Sequence, residues 1–233
     1  DSLKGRYPGT TEDSVLLNYL ASEFSKYELQ PSSEGYIQKF EIVQGITPDE
    51  NNNMKFRNII FKQGEEFMPF GFSGDEKLSA PLVFCGFGFD LETEEIRRND
   101  YSSINPEGKW VLLFRGEPEN NEKFSDYSSD RDKVMLAIDK GAAGVIMVSG
   151  EAYSLHDDLI EPELKESAVD IPVVHMTRMA ADKLLTDYKY NIKALEKISS
   201  ENNLANPEIK TERLLTANIR LNRKYDITGN AIG

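Results

Sequence analysis

Two histidines and one cysteine are the side chains in this 233-residue chain that most readily bind zinc or act as nucleophiles. They are His156, His175 and Cys85, and they are widely separated in the sequence. A zinc site needs three or four converging nitrogen, sulfur or oxygen ligands, so no zinc centre is predicted. Cys85 lies within the apolar segment PLVFCGFGF and is expected to be a buried, unreactive thiol.

A cluster of carboxylates next to His156 could in principle hold a calcium ion, because calcium prefers oxygen ligands. Its spacing matches no calcium loop and lacks the glycine that such a loop needs. A solvated acidic loop is therefore the prediction, with calcium binding left open. The cluster consists of Asp157, Asp158, Glu161 and Glu163.

Phosphohistidine chemistry is conceivable at His175, which ends an apolar strand just before a predicted helix start, where anions are favoured. A packed, hydrogen-bonded histidine is the commoner outcome at such a position. The chain has no Gly-x-Ser-x-Gly motif and no evident Ser/His/Asp set. The glycines of KGAAG (140–144) follow a helix and precede a strand, the wrong order for a phosphate-binding loop. The residues alone thus predict a binding or structural module.

The charge of the chain excludes several classes of partner. With 27 basic and 40 acidic residues the net charge is −13, so nucleic acid and anionic membrane surfaces would be repelled. The longest apolar run, GAAGVIMV (141–148), is too short to span a bilayer. No leader segment follows Asp1, so we expect either a cytosolic protein or one whose leader has been removed.

Apolar periodicity predicts the elements that must position these side chains. Thr10 and Asp13 form a capping box before a helix whose apolar stripe includes Leu16 and Leu20. Ser129 or Asp130 caps a second helix that ends at Gly141, and Thr177 caps a third. Strands are predicted over residues 36–43, 55–62, 81–89, 108–116, 144–149, 170–176 and 211–224, with loops and short strands over 64–80. The succession of strands and helices predicts an α/β fold with a sheet covered by helices.

The segment LKGRYPGTTEDSVLLNYLASEFSKYELQP (3–31) resembles the opening segment of secreted bacterial zinc aminopeptidases of the co-catalytic dizinc type, although Glu28 stands where a glycine is usual. YDITGNAIG (225–233) resembles the point where such a chain re-enters the peptidase domain. The protease-associated (PA) domain inserted into many of these enzymes is similar to the segments APLVFCGFGF, GKWVLLFRGEP, AIDKGAAGVIMVSG and DIPVVHMT.

The resemblance implies a fold and a domain organisation. We expect a three-layer β/β/α swivelling-type PA domain with a mixed sheet over residues 46–210. Residues 1–45 would supply a helix and strand of the peptidase domain, and residues 211–233 a strand returning to it. The chain would then stop before the catalytic domain, leaving the apolar stripe of the first helix exposed.

The resemblance places the chemistry outside this sequence. The family binds two zinc ions, through ligands that follow the re-entry point, so no catalytic residue and no metal ligand is assigned here. The expected partners are the catalytic domain in the same chain and a peptide or protein substrate. The expected location is extracellular or periplasmic, where this family works.

We therefore expect a non-catalytic module that shapes substrate access or mediates protein contacts in an enzyme that hydrolyses N-terminal peptide bonds. The candidate contact residues are Phe67, Phe70, Phe72, Arg115 and Glu117. Three alternatives stay open: a free-standing protein-binding or ligand-binding domain, a phosphohistidine swivelling domain that uses His175, and a sugar site at Trp110, which is more simply explained as core.

Overall fold

The computed structural model describes residues 5–118, 122–201 and 206–233. Within them the α-helices are α1 (Thr11–Lys26), α2 (Asp130–Asp139), α3 (Arg178–Leu184) and α4 (Ile192–Ser200), with a short 3-10 helix at Glu122–Tyr127. The strands are β1 (Ile37–Pro48), β2 (Asn53–Phe56), β3 (Ile59–Phe61), β4 (Phe67–Pro69), β5 (Glu76–Phe84), β6 (Asp90–Glu92), β7 (Arg97–Asn99), β8 (Trp110–Phe114), β9 (Gly144–Val148), β10 (Val173–Met176), β11 (Lys210–Ile219) and β12 (Leu221–Ala231).

The chain divides into two compact units. The larger is continuous from Pro48 to Leu221, and the smaller combines the segment up to Thr47 with Asn222–Gly233. The C-terminal limit of the larger unit differs from the predicted one, because β11 pairs with β2 and β5 in its sheet. That the smaller unit belongs to a peptidase domain stays a prediction.

An eight-stranded mixed sheet organises the larger unit, in the order β3-β2-β11-β5-β8-β9-β10-β4. The strands β5, β8, β9 and β10 run parallel, and the other neighbours are antiparallel. A β-bridge joins Gln63 to Phe67, beside the two edge strands, so the sheet is nearly closed. The predicted α/β class with a mixed sheet is confirmed.

The parallel strands are covered on both faces, which explains their nearly continuous apolar sequences. One face packs against α2 through Val134 and Ala137. The other face packs against β2, β11, α3 and α4, with Trp110 completely buried and its indole N–H donating to Leu215 O at 3.0 Å. This arrangement is the expected β/β/α layering, and Trp110 belongs to the core rather than to a ligand platform.

Helix ends follow the predicted capping residues. The side chains of Ser129 and Thr177 accept hydrogen bonds from the backbone of the first turns of α2 and α3. Gly141 follows α2 with φ 85°, a left-handed conformation that ends the helix there. Helix α3 ends at Leu184, and α4, which the sequence analysis did not predict, follows it with Asn191 as its cap.

Two predicted strands are each divided in the structure. Residues 55–62 contain the end of β2 and the whole of β3, joined by a tight turn in which Arg57 has φ 57°. Residues 211–224 divide at Arg220, between β11 and β12. The side chain of Asn52 holds that break, accepting from Arg220 N at 2.6 Å and donating to Arg220 O at 2.9 Å. In residues 211–224 the alternation of Leu215, Ala217, Ile219 and Leu221 continues through the interruption, and in residues 55–62 no glycine or proline marks the turn, so the sequence pattern alone could not locate either one.

The smaller unit contains α1 and a two-stranded sheet of β1 and β12. Thr10 caps α1 as predicted, and the Asp13 carboxylate accepts hydrogen bonds from Gly9 N at 2.9 Å and Thr228 Oγ1 at 2.6 Å. The predicted apolar exposure is present in part, since Val15 is 52% and Tyr19 59% exposed, whereas Leu16 and Leu20 are partly buried. No helix in the described part of the chain is long and apolar enough to cross a membrane.

Candidate functional site

A cavity of about 370 Å³ lies in the larger unit where the loop after β4, the start of α2 and the loop 160–166 meet. Phe70, Phe72 and Ile160 supply its apolar lining. Arg115 and Asp130 form one wall, and charged side chains of the loop 160–166 form the rim. The cavity thus combines an apolar floor with a charged opening.

The floor is built from two aromatic rings that flank a glycine. The ring centroids of Phe70 and Phe72 are 5.1 Å apart, and both side chains are nearly buried. Between them, Gly71 lies so close to the loop 160–166 that a Cβ atom would be 2.0 Å from Glu163 O. Only glycine permits this approach, which fixes the loop against the floor.

Arg115 follows β8 and is held on several sides. Its Nε and Nη2 donate to Asp130 Oδ2 at 2.9 and 2.7 Å, and its Nη1 donates to Ser149 Oγ at 3.3 Å. The guanidinium carbon lies 5.6 Å from the centroid of Phe70 and 5.1 Å from that of Tyr153. The side chain is therefore a fixed wall of the cavity, with its charge paired.

Replacing Arg115 by lysine should lower the free energy of unfolding by about 1 to 2 kcal/mol, because an ammonium cannot form this forked contact and stack on both rings. Urea denaturation of both proteins would measure the loss. Arg97→Lys is the matched control, since Arg97 is 85% exposed and pairs only with the exposed Glu92 among the described contacts. Equal stability of native and Arg115→Lys proteins would contradict this role.

His175 lies in β10 beneath the cavity and is 1% exposed. Its Nδ1 accepts from Ile160 N at 3.2 Å, so Nε2 carries the proton and donates to Ser149 Oγ at 2.9 Å. Burial, with Arg115 and then Arg178 nearby, lowers the pKa of His175 to about 3. A neutral, buried imidazole with both nitrogens engaged offers no site for phosphorylation, and this geometry argues against the phosphohistidine alternative.

Lys133 of α2 is a buried lysine that the sequence pattern does not mark as part of a site. Its Nζ donates to the carbonyl oxygens of Phe114 and Gly116, on either side of Arg115, and lies 4.6 Å from the ring centroid of Phe89. Burial lowers the pKa of Lys133 to about 7. Through the two carbonyls Lys133 joins α2 to the segment that carries Arg115.

The structure brings together three of the five predicted contact residues. Phe70, Phe72 and Arg115 line the cavity, whereas Phe67 and Glu117 do not. Phe67 is 0% exposed and packs in the core around Trp110, so its assignment to a contact surface is corrected. The Glu117 side chain is partly buried, and its role stays a prediction.

Other side chains singled out in the sequence have structural surroundings. Cys85 is completely buried, and burial raises the pKa of its thiol, as expected of an unreactive cysteine. The Asp157 carboxylate accepts from Arg178 N at 2.7 Å and Met179 N at 3.3 Å, so it caps α3. Asp130, Arg131 and the loop 160–166 were not predicted as cavity residues, because their neighbours in space lie far away in sequence.

A model of the PA domain family matches residues 78–184, from within β5 to the end of α3. These residues form a PA domain. The match includes the predicted KGAAG turn and the strand before α3, and the cavity lies at the edge of the PA domain. A search of the curated proteins finds no match.

The chain is similar in structure to parts of larger proteins. For the aminopeptidase from Aneurinibacillus sp. strain AM-1 the TM-score is 0.52 at 20% identity, over 95% of this chain and 42% of that one. This likeness concerns the fold alone. For BSAP, a zinc aminopeptidase from Bacillus subtilis, the TM-score is 0.45 at 17% identity, over 98% of this chain and 42% of that one, too low to carry an argument. The chain thus spans about two fifths of the length of these aminopeptidases.

The side chains that the structure describes do not fit a zinc centre. Within residues 5–118, 122–201 and 206–233, no group of three or more His, Cys, Asp or Glu residues is placed to hold a metal ion. A tetrahedral zinc ion needs such a group, so no chemical step is assigned to zinc within these residues.

Proposed function

We propose that this chain is the PA domain and flanking segments of a zinc-dependent aminopeptidase, in which it shapes the access of peptide substrates to a catalytic domain. The catalytic domain would hold the two zinc ions and hydrolyse N-terminal peptide bonds. The PA domain match supports the module. The chain spans 42% of the length of the Aneurinibacillus aminopeptidase, and we propose that a catalytic domain accounts for much of the remaining length in the parent protein.

One observation carries the proposal: the described residues of the smaller unit bury no apolar side chain. Only Asp13 and Thr228 are buried there, and both are polar. Large apolar side chains are exposed on α1 and on both strands, namely Val15 52%, Tyr19 59%, Phe40 42%, Tyr225 53% and Ile227 61%. Exposed apolar surface on this scale favours a protein partner, and we assign it to the catalytic domain.

Hydrogen exchange tests this assignment. In the 233-residue chain, the amides of α1 should exchange at least about tenfold faster than those of β8 and β9, because no fully buried apolar side chain resists local opening of α1. In a longer protein that includes the catalytic domain, α1 should gain protection of about 100-fold or more, while β8 and β9 stay unchanged.

An aminopeptidase assay accompanies the exchange measurement. The longer protein should release N-terminal residues from peptides, lose this activity with a chelator and regain it with zinc, whereas the 233-residue chain should show none. Equal protection of α1 in both proteins, or no activity in the longer one, would favour the alternative of a free-standing binding domain.

A role in substrate access predicts a kinetic effect that depends on substrate length. In the longer protein, Phe70→Leu with Phe72→Leu should raise KM for an extended peptide about threefold or more and leave a single-residue chromogenic amide unaffected. The reason is that only the extended substrate reaches residues remote from the chemistry. Unchanged KM for both substrates would remove the cavity from the access route.

The proposed location is extracellular or periplasmic, as the aminopeptidase resemblance implies. Fractionation of the source cells with an antibody to the chain would test it. Recovery in the cytosolic fraction alone would contradict this part of the proposal.

A further inference from the structure

Some charged side chains around the cavity form ion pairs and others do not. Arg115 is neutralised by Asp130, and the Lys165 ammonium forms an ion pair with the Glu163 carboxylate. Two exposed rim carboxylates, Glu161 and Glu166, have no ion pair with the residues that the structure describes.

One cation partly offsets these rim carboxylates. The Nε atom of Arg131 is buried, and its Nη2 donates to Ser167 O at 3.5 Å. The rim thus carries a net excess of one negative charge, in a chain whose net charge is −13.

The floor offers space for one large apolar side chain. A volume of about 370 Å³ falls at the lower end of the range of ligand pockets, roughly 300 to 1,000 Å³. Phe70, Phe72 and Ile160 face this space, and the Arg115 guanidinium covers the Phe70 ring. The polar groups of the wall are already bonded to each other, so the floor favours an apolar guest over a polar one.

We propose that this cavity binds an internal segment of peptide in which an apolar residue is followed or preceded by lysine or arginine. In an extended peptide, neighbouring side chains point to opposite sides. An apolar side chain can then enter the floor while the adjacent cationic side chains reach back to Glu161 and Glu166 at the rim. The inference rests on the proposed function, because it names the class of peptide that the module would favour.

Peptide binding to the 233-residue chain tests the inference directly. The probe is an unlabelled, N-acetylated and C-amidated pentapeptide, Lys-Leu-Lys-Leu-Lys, titrated into the 15N-labelled chain and followed by amide chemical shifts. Acetylation removes the α-ammonium, so binding must come from an internal segment. We expect a Kd of about 0.1 to 1 mM, with at least about fivefold weaker binding for peptides with serine in place of leucine or glutamate in place of lysine.

Variants of the rim separate the cavity from the general acidic surface. Glu161→Gln with Glu166→Gln should weaken binding about fivefold and flatten its salt dependence. The control Glu94→Gln with Asp139→Asn removes the same charge outside the cavity lining and should leave Kd unchanged. Phe72→Leu, which keeps an apolar side chain in the floor, should weaken leucine peptides but not serine peptides.

Three results would overturn the inference: no binding up to about 3 mM peptide, equal binding of leucine and serine peptides, or equal weakening by the rim and control pairs. Each of these leaves the proposed function standing if α1 gains protection in the longer protein. Conversely, specific peptide binding without protection of α1 would support the cavity and contradict the peptidase assignment.

Discussion

The free energy of unfolding of the native chain should rise by about 2 kcal/mol between about pH 6 and pH 8.5, and a Lys133→Met variant should lack this rise. The folded chain holds the pKa of Lys133 at about 7, against an ordinary value of 10.5. Between these two values the unfolded chain binds more protons, so the free energy of unfolding of the native chain rises with pH. Methionine has a similar length and no titrating group.

The groups around Lys133 set the sign of this effect. Burial is the largest cause and lowers its pKa, while Asp130, Asp100 and Glu117 raise it and Arg98 lowers it further. The quantity to measure is the difference between native and variant free energies of unfolding, from urea titrations at each pH, because other groups titrate equally in both.

Lys193→Met is the matched control for this experiment. The Lys193 side chain is 71% exposed and pairs with Glu151 at 2.6 Å. Its removal should leave the pH dependence between pH 6 and 8.5 as in the native chain. A Lys133→Met protein with the native pH dependence would show that Lys133 stays protonated in the folded state.

When the pH falls from 7 to about 4.5, the native chain should lose about 2 to 3 kcal/mol more of its free energy of unfolding than the His175→Asn variant loses. His175 has a pKa of about 3 in the folded state and an ordinary value of 6.5. As the pH falls below 6.5, the unfolded chain binds a proton that the folded chain refuses, so native stability decreases. The asparagine side-chain oxygen can still accept from Ile160 N, which limits the cost of the substitution.

His156→Asn is the control for the acid measurement. His156 is exposed, and this substitution also replaces one histidine by asparagine. Its unfolding free energy should follow that of the native chain down to about pH 4.5. If His175→Asn and the native chain lose stability in parallel on acidification, His175 is not the acid-sensitive group.

The parallel half of the sheet could be predicted from local patterns. The strands β8, β9 and β10 have short apolar runs with both faces buried, and Ser129, Gly141 and Thr177 mark the adjoining helix ends. In each case local chemistry and tertiary packing agree. The PA domain match covers this same part of the chain.

The divided strands and the cavity could not be predicted in this way. The turn at Arg57 uses no glycine, and the division at Arg220 depends on hydrogen bonds exchanged with Asn52, 168 residues away. The cavity depends on contacts of the same kind, because Gly71 meets Glu163 and Arg115 meets Asp130 only after folding. Residue types suggest Phe70, Phe72 and Arg115, whereas the sequence predicts only a solvated acidic loop with calcium binding left open.

The central position of β11 has a consequence for folding during synthesis. β11 lies between β2 and β5, so its partners on both sides are made more than 100 residues before it. Until it leaves the ribosome, β2 and β5 each present an unpaired edge, and the high contact order slows closure of the sheet. We therefore expect nascent chains that end before residue 210 to aggregate or bind chaperones, and the larger unit to become protease-resistant only after β11 has emerged.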